Sequence, residues 1–182
     1  SVPACVGLLG SLTTLDLGNN QLRGPFDSDL SQLSSLTSLN LSFVDLTQQQ
    51  DSLKDSFFRL TSLKELFLAY CFKEESGVSV LSQLVHLEKL NLDGNFLTQF
   101  PAVLTRFTHL QKLSLESNEI CTLPYEPLLR FKSLSFLNVR RNNITSLPSS
   151  LACLQALRDS GKFLFENNPL SDEYKVNGIF PT

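Results

Sequence analysis

Methionine and tryptophan are absent from this 182-residue sequence, and histidine occurs only twice. Basic residues do not cluster, because the longest Lys/Arg run is the pair Arg140-Arg141 and the formal net charge is −3. No apolar stretch approaches the roughly 18 residues that a membrane-spanning helix needs. We therefore expect neither nucleic-acid binding nor membrane insertion. The missing initial methionine predicts a processed chain or a piece of a longer one.

Motifs that carry chemistry are also missing. The patterns GxSxG, GxxxxGK[ST], HExxH and GxGxxG do not occur, so the sequence offers no nucleophile elbow, phosphate loop, zinc protease helix or dinucleotide site. The four cysteines lie far apart and form no CxxC pair; they are Cys5, Cys71, Cys121 and Cys153. The sequence predicts no enzyme, no metal and no cofactor.

The sequence has instead a repeat of about 24 residues. The first copy reads Leu12-x-x-Leu15-x-Leu17-x-x-Asn20-x-Leu22. Seven copies begin at Leu12, Leu36, Leu63, Leu87, Leu110, Leu134 and Ser160. The Asn of the ninth position is replaced by Val44 in the second copy and by Cys71 in the third. In the third copy the last apolar position is occupied by Lys73.

Each half of the repeat predicts one structural element. The alternation x-Leu-x-Leu-x is typical of a short strand with one buried face. Strands of successive copies can pair in parallel only if the chain returns between them. The Asn amide can bond backbone groups of neighbouring turns, so an Asn ladder is expected, with an interruption at Val44.

The returning half is regular in four places and irregular in two. Val2-Pro3, Phe100-Pro101, Leu123-Pro124 and Leu147-Pro148 are followed by apolar residues at about every third position, which favours a short helix or a 3₁₀ turn begun by proline. The polar stretch Gln48–Asp51 is predicted to bulge from the convex side. The stretch from Phe72 to Gly77 lacks the Leu-Pro pair, so the third return is expected to be longer or more helical.

These motifs resemble the leucine-rich-repeat proteins of the short type, and are similar to those of intracellular Scribble-like and Ras-suppressor-like scaffolds. The resemblance covers Val2 to about Leu170. It implies an α/β solenoid, or horseshoe, with a parallel concave β-sheet and short helices, 3₁₀ turns or extended turns on the convex side. We expect one domain over residues 1–182 that begins in the middle of a repeat and ends in a polar tail at about 171–182.

Extracellular members of this family usually have clustered cysteines at each end, and none is visible here. The sequence therefore predicts a cytoplasmic protein, with an extracellular fragment cut from its caps as the alternative. Asn40-Leu41-Ser42 and Asn143-Ile144-Thr145 match the glycosylation pattern, which the repeat itself generates. The uncovered first edge predicts further repeats or a second chain packed against it.

The third, fifth and seventh positions of each copy point away from the core onto the concave sheet. We call these three rows of equivalent residues the third, fifth and seventh columns. In the first two copies the columns have mostly small, uncharged side chains. From the third copy onward they carry aromatic and charged groups typical of protein interfaces. The predicted contacts are Phe67, Tyr70, Phe72, Lys89, Asn91, Asp93, Lys112, Glu116, Phe136, Asn138 and Arg140.

Two functional hypotheses remain open. The first is a non-catalytic scaffold or adaptor that binds a protein or peptide through the concave face of repeats three to six. The alternative is a ligand-sensing or regulatory segment of a larger receptor, kinase or GTPase. Against both stands the simpler interpretation that Phe67 and Phe136 only pack on their strand neighbours. His86 and His109 are adjacent by repeat symmetry alone, without further metal ligands.

Overall fold

The computed structural model describes residues 3–22, 30–48 and 50–170. In this part of the chain, seven short strands form one parallel sheet in sequence order. The strands are β1 (Thr14–Asp16), β2 (Ser38–Asn40), β3 (Glu65–Phe67), β4 (Lys89–Asn91), β5 (Lys112–Ser114), β6 (Phe136–Asn138) and β7 (Phe163–Leu164). The predicted solenoid is thereby confirmed, with one strand in each repeat. The predicted polar tail at 171–182 lies outside the described residues.

The core is built from the inward-facing leucines of the strands. The fourth-position residues Leu39, Leu66, Leu90, Leu113 and Leu137 are at most 2% exposed. Their strands are paired in register, so each of these leucines has its equivalents on both sides. Burying a leucine fully contributes about 1.5–3 kcal/mol. A continuous core of this kind holds the outward-facing columns in fixed positions.

A ladder of asparagine side chains follows the strands. The Oδ1 of Asn118 accepts hydrogen bonds from the backbone N–H groups of Asn95 (2.9 Å) and Leu97 (3.1 Å). Its Nδ2 donates to the carbonyls of Leu92 and Leu115, both at 3.0 Å. The rungs at Asn95, Asn142 and Asn168 are built alike.

The ladder changes chemistry at its N-terminal end. Cys71 keeps only the donor function of the missing asparagine, because its Sγ lies 3.1 Å from the carbonyl of Leu41. Val44 has no polar side chain, and its backbone N–H bonds to Leu41 of the same unit (3.1 Å). The predicted interruption at Val44 is confirmed.

The convex side is made of short helices, as predicted for the Leu-Pro returns. The 3₁₀ helices Ala4–Leu8, Ala102–Arg106 and Ser149–Cys153 each begin directly after a proline. The helix α2 (Tyr125–Leu128) begins after Pro124. Two further elements are the 3₁₀ helix Leu30–Gln32 and the helix α3 (Gln155–Ser160). Proline is favourable at these starts because the first helical N–H groups have no partner within the helix.

The second return departs from its prediction. Where the polar stretch Gln48–Asp51 was predicted to bulge, residues Gln50–Arg59 form the ten-residue α-helix α1, which we call the second-return helix. Leu53 and Phe57, four residues apart on its inner face, are buried. The third return is the nine-residue 3₁₀ helix Glu75–Gln83, so the predicted lengthening there is confirmed.

The first unit is less well covered than the others. Leu12, Leu15 and Leu17 are only partly buried, and Leu8 and Leu9 of the preceding helix are exposed. These side chains are apolar groups in contact with solvent within the described residues. The expected neighbour on this edge, further repeats or a second chain, stays a prediction.

Candidate functional site

The register of the sheet brings the predicted column residues together. Lys89 of β4 is paired with Lys112 of β5, which is paired with Phe136 of β6. In the fifth column Phe67 is followed by Asn91, Ser114 and Asn138 in the same way. Adjacent strands lie about 4.8 Å apart, so each column is a row of touching side chains.

The central strands form the floor of an open pocket on this face. Its volume is about 470 Å³, and its lining residues are Phe67, Lys89, Leu90, Asn91, Lys112, Ser114, Phe136 and Lys162. Phe67 on β3 and Phe136 on β6 are partly exposed and stand three strands apart. The pocket therefore has an aromatic wall on either side and polar groups between them. We call it the concave pocket.

The lysines of the concave pocket differ in their pairing. Lys89 forms an ion pair with Glu65 on the neighbouring strand, and both side chains are about one-third exposed. Lys112 and Lys162 have no side-chain hydrogen bond or ion pair within the described residues. Their ammonium groups are therefore available to a ligand. Lys162 was missed as a site residue, although its place in the third column indicated it.

The side-chain oxygens of four fifth-position residues accept a hydrogen bond in the turn after the strand. The Oδ1 of Asn91 accepts a hydrogen bond from the N–H of Asp93 (2.8 Å). Asn40, Asn138 and Asp16 make the same turn with the residue two positions on. Such side-chain turns fix the direction in which the chain leaves the sheet.

The acidic side chains of the seventh column form a network at the other edge of the strands. Asp93 accepts hydrogen bonds from the Ser114 hydroxyl (2.6 Å) and from the N–H of Glu116 (2.7 Å). The Nδ2 of Asn138 donates to Glu116 (2.8 Å) and to Ser114 (3.1 Å). Burial raises the pKa of Asp93 above its ordinary value, against the lowering effect of these hydrogen bonds. The network positions its members and leaves little of Asp93 for a partner.

Two of the predicted partner contacts on this edge, Asn138 and Arg140, bond to other side chains of the same chain. Asn138 is 6% exposed and its amide is used in the network, so its prediction as a surface contact is wrong. Arg140 donates to Glu166 through Nε (2.5 Å) and Nη2 (3.2 Å), a bidentate pair across the last two units. This ion pair holds the pKa of Glu166 at about 2.

Of the two aromatic residues predicted to extend the site after β3, Tyr70 is exposed and Phe72 is buried. Tyr70 is 49% exposed and stacks on Phe43, with ring centroids 4.9 Å apart. Phe96 lies near them and is also exposed, and a small groove of about 230 Å³ runs along this patch. Phe43 and Phe96 were missed, although Phe43 has the position in the second unit that Tyr70 has in the third, and this equivalence could have indicated it. The patch lies beyond the ends of the strands, outside the concave pocket.

The prediction that Phe72 contacts a partner is wrong. Phe72 is 2% exposed and packs in the core, so it contacts no partner from the surface. The physical reason is the loss of the last apolar position to Lys73, whose side chain is exposed and pairs with Asp45. The backbone N–H of Phe72 bonds to the Oδ1 of Asn95, as the N–H of Leu97 bonds to Asn118 in the next unit, so Phe72 takes the place of the last apolar residue.

The two histidines considered as a metal site are neighbours, but they have no further metal ligands beside them within the described residues. His86 and His109 lie side by side as repeat symmetry predicts, with ring centroids 6.1 Å apart. No group of three or more His, Cys, Asp or Glu side chains within residues 3–22, 30–48 and 50–170 is arranged to hold a metal ion. Cys5, Cys121 and Cys153 are exposed and Cys71 is buried.

Comparison with known families agrees with this architecture. A family model described as Leucine Rich Repeat matches residues 11–33, 86–107 and 133–154, which cover repeats one, four and six. The chain is a leucine-rich-repeat solenoid. Proteins of this class generally mediate protein–protein interaction and are typically not enzymes. No curated protein matches the sequence.

Solved structures with the same fold come from different proteins. Internalin C2 of Listeria monocytogenes matches 88% of this leucine-rich-repeat chain with a TM-score of 0.71 and 25% identity. A leucine-rich-repeat protein of Leptospira interrogans matches 95% with a TM-score of 0.73 and 28% identity. The complex of TLR13 with ssRNA13 matches 96% with a TM-score of 0.67 and 26% identity.

The matched chains are longer than this one. The alignment covers 64% of the internalin chain, 42% of the Leptospira chain and 28% of the TLR13 chain. None of the three is named as a Scribble-like or Ras-suppressor-like scaffold, so that resemblance stays a prediction. Every helix within the described residues is too short or too polar to span a bilayer.

Proposed function

We propose that this solenoid is a non-catalytic interaction module that binds a protein or peptide segment in the concave pocket of repeats three to six. The observation that carries the proposal is the pocket itself. Two partly exposed phenylalanines, Phe67 and Phe136, line a pocket of about 470 Å³ together with polar donors. Aromatic anchors beside a few oriented polar groups are the usual composition of an interface centre.

The simpler interpretation is that the two phenylalanines only pack on their strand neighbours. It does not explain why both rings stay partly exposed on the sheet. Phe67 is flanked by Asn40 and Asn91 in its column, and Phe136 is flanked by Lys112 on one side. The asparagines offer no apolar partner to the ring of Phe67, and Lys112 offers the ring of Phe136 only its methylene chain. Each ring therefore keeps apolar surface in contact with solvent, which a partner side chain would cover.

The experiment is a selection of peptides of about 12 residues from a displayed random library on the immobilised chain. The peptides selected are then measured against the double variant Phe67→Ala/Phe136→Ala. We expect their affinity to fall by about tenfold or more, because aromatic anchors dominate such interfaces. The control is Phe58→Ala, which removes a phenylalanine that is 64% exposed on the second-return helix.

The proposal fails if the selected peptides bind the double variant as tightly as the wild type, or if the control weakens binding equally. Circular dichroism of each variant separates lost binding from lost fold. Lack of any selected peptide also counts against a peptide site in the concave pocket.

A cytoplasmic location is part of the same proposal. It is supported by the three exposed thiols of Cys5, Cys121 and Cys153, which a reducing compartment keeps unpaired. Fractionation of cells that naturally express the protein tests the location. Recovery from the secreted fraction, with glycan on Asn143, would contradict it.

A further inference from the structure

Three aromatic side chains are exposed beyond the carboxyl ends of β2, β3 and β4. Phe43, Tyr70 and Phe96 have exposed fractions of 53%, 49% and 56%. The rings of Phe43 and Tyr70 are stacked, with an angle of 13° between their planes. Together with the ion pair of Asp45 and Lys73, the three aromatic residues line a groove of about 230 Å³. We call these three residues the aromatic patch.

The backbone of the aromatic patch is strained. Phe43, Tyr70 and Phe96 have φ of 64°, 56° and 55°, in the left-handed region that bulky side chains rarely adopt. Other units have small polar residues at the position of Phe43 and Tyr70, with φ of the same sign; these are Asn19, Ser117 and Asn167. The ring of Phe43 costs conformational energy at this position, although it lies outside the hydrophobic core. Residues held in this way cluster at binding sites.

Ala69 connects the aromatic patch to the concave pocket. Phe67 lines the pocket, and Tyr70 follows it by three residues, which span about 10 Å when the chain is extended. The seventh-column residue between them is Ala69, which has only a methyl group. In the later units this column carries charged side chains: Asp93, Glu116, Arg140 and Glu166. The third unit therefore has an apolar route across the edge of the sheet, where the later units have a charged rim.

The polar groups beside this route are paired within the chain. Ser42, the seventh-column residue of the second unit, is buried, and its hydroxyl accepts a hydrogen bond from the N–H of Ala69 (3.3 Å). Lys73 and Asp45 neutralise each other beside the groove. A partner side chain that covered the route would meet no unpaired charge among these residues. An apolar side chain is therefore favoured there over a charged one.

We infer that the aromatic patch is a second docking surface for the same protein segment that occupies the concave pocket. One apolar side chain of the segment, the first anchor, lies beside Phe67 in the pocket. The segment crosses the edge of the sheet over Ala69, and a second anchor, about two to four residues farther along, lies on the rings of Phe43 and Phe96. The continuous apolar surface through Ala69 is the reason to assign both anchors to one segment. This inference rests on the proposed function and names the two-anchor chemistry of its partner.

The first test removes the aromatic patch while keeping its backbone. In Phe43→Asn/Phe96→Asn, which we call the patch variant, both rings are replaced by a residue that tolerates left-handed φ, as Asn19 does. Peptides selected from the random library on the wild type are measured by fluorescence anisotropy. We expect the patch variant to bind them about fivefold or more weakly. The matched control Phe58→Asn/Tyr125→Asn removes two convex rings, 64% and 52% exposed, and should change affinity less than about twofold.

The second test assigns each anchor of the peptide to its own surface. Each apolar residue of a selected peptide is replaced by serine in turn, which gives single-anchor probes. The probe without the second anchor should bind the wild type about tenfold more weakly than the intact peptide, and should bind the patch variant as well as the wild type. That equality also shows that the concave pocket of the patch variant is folded. The probe without the first anchor should have the same relation to Phe67→Ala/Phe136→Ala. Additive losses would place the second anchor elsewhere and overturn the inference.

The third test closes the route between the two surfaces. Ala69→Arg places a long side chain in the seventh column, at the position that Arg140 has in the sixth unit. We expect the intact peptide to bind this variant only as tightly as the probe without the second anchor binds the wild type, because the segment no longer crosses the edge. Ala102→Arg, the same change at an exposed convex site, should leave the affinity unchanged.

The outcomes separate this inference from the proposed function. Peptides that depend on Phe67 and Phe136 but bind the patch variant as tightly as the wild type overturn the second anchor and leave the interaction module. Peptides insensitive to every one of these variants overturn both. Analytical ultracentrifugation tests another occupant of the aromatic patch, a second copy of the chain. A wild-type dimer that becomes a monomer in the patch variant would assign the patch to self-association and overturn the inference.

Discussion

The ring of Tyr70 lies against the backbone of Gly94 in the next unit. A Cβ atom on Gly94 would stand 2.3 Å from Cε1 of Tyr70. The backbone of Gly94 is left-handed, with φ of 64°, but equivalent positions in other units hold Phe43, Tyr70 or Ser117 at similar φ. The contact with Tyr70, more than the backbone angle, is therefore what requires glycine here.

Replacing Gly94 by alanine is expected to destabilise the chain by about 2–4 kcal/mol, measured by urea unfolding. The backbone strain contributes about 1 kcal/mol, and the clash with the ring adds the rest. Gly161→Ala is the control, since φ is 62° there and nothing lies within 4 Å of the added Cβ. It should cost only the backbone part. In the double variant Tyr70→Ala/Gly94→Ala the extra cost should disappear, and an additive double variant would contradict the contact.

Phe72→Ala is expected to cost about 3–5 kcal/mol of unfolding free energy, because the side chain is buried and its removal leaves a cavity. Phe67→Ala, a partly exposed phenylalanine on the sheet, should cost less than about 1.5 kcal/mol. Chemical denaturation of both variants measures the difference. Equal losses would show that Phe72 has no special place in the core.

Cys71 predicts a loss of stability at alkaline pH. Burial raises the pKa of its thiol from 9.0 to about 12, so between these values the unfolded chain loses a proton that the folded chain keeps. Stability is then complete below pH 9 and falls as pH rises, by at most about 1.4 kcal/mol per pH unit. Cys71→Ser keeps a donor without this titration. The stability of the wild type should fall more steeply than that of Cys71→Ser from pH 9 to 10.5; parallel curves would refute the assignment.

Glu166 predicts the opposite dependence at acid pH. Its ion pair with Arg140 holds the pKa of Glu166 at about 2, so the stability it contributes is present above the ordinary value of 4.5 and is lost as pH falls through 2. The pair is exposed, so the effect on global stability is small. Carboxyl NMR titration should show the pKa of Glu166 rising toward 4.5 in Arg140→Gln. An unchanged value would mean that Arg140 is not its cause.

The repeat predicted the sheet well because each strand obeys the same local rule. The leucines, the columns and the neighbours of Lys89, Lys112 and Phe136 follow from one register. Departures occurred where that rule is broken. Lys73 replaces the last apolar residue of the third unit, and Phe72 is buried instead. Leu53 and Phe57 are spaced as in a helix, but the polar residues just before them made the segment read as a loop.

The site was harder to predict than the sheet because pairing decides which groups are available. The seventh column places Arg140 between Glu116 and Glu166, but it does not show that Glu166 binds Arg140 or that Glu116 binds Asn138 of the fifth column. In the same way, the ion pair of Lys89 follows from Glu65, the residue before it in the third column. Such pairings depend on neighbouring copies, whereas the motif describes each copy alone.

The break in the asparagine ladder at Val44 has a consequence for how the solenoid unfolds. From Cys71 to Asn168 each unit is tied to the next by buried side-chain bonds in addition to core packing. The second unit is tied to the third by the Cys71 thiol, whereas Val44 gives the junction between the first and second units no buried side-chain bond, and the coupling of the first unit is correspondingly weaker. In a solenoid each unit contacts only its neighbours, so partial unfolding is expected to stop at the junction with the weakest coupling. Amide protons of β1 should therefore exchange through partial opening, whereas those of β4 to β6 exchange only when the whole array unfolds.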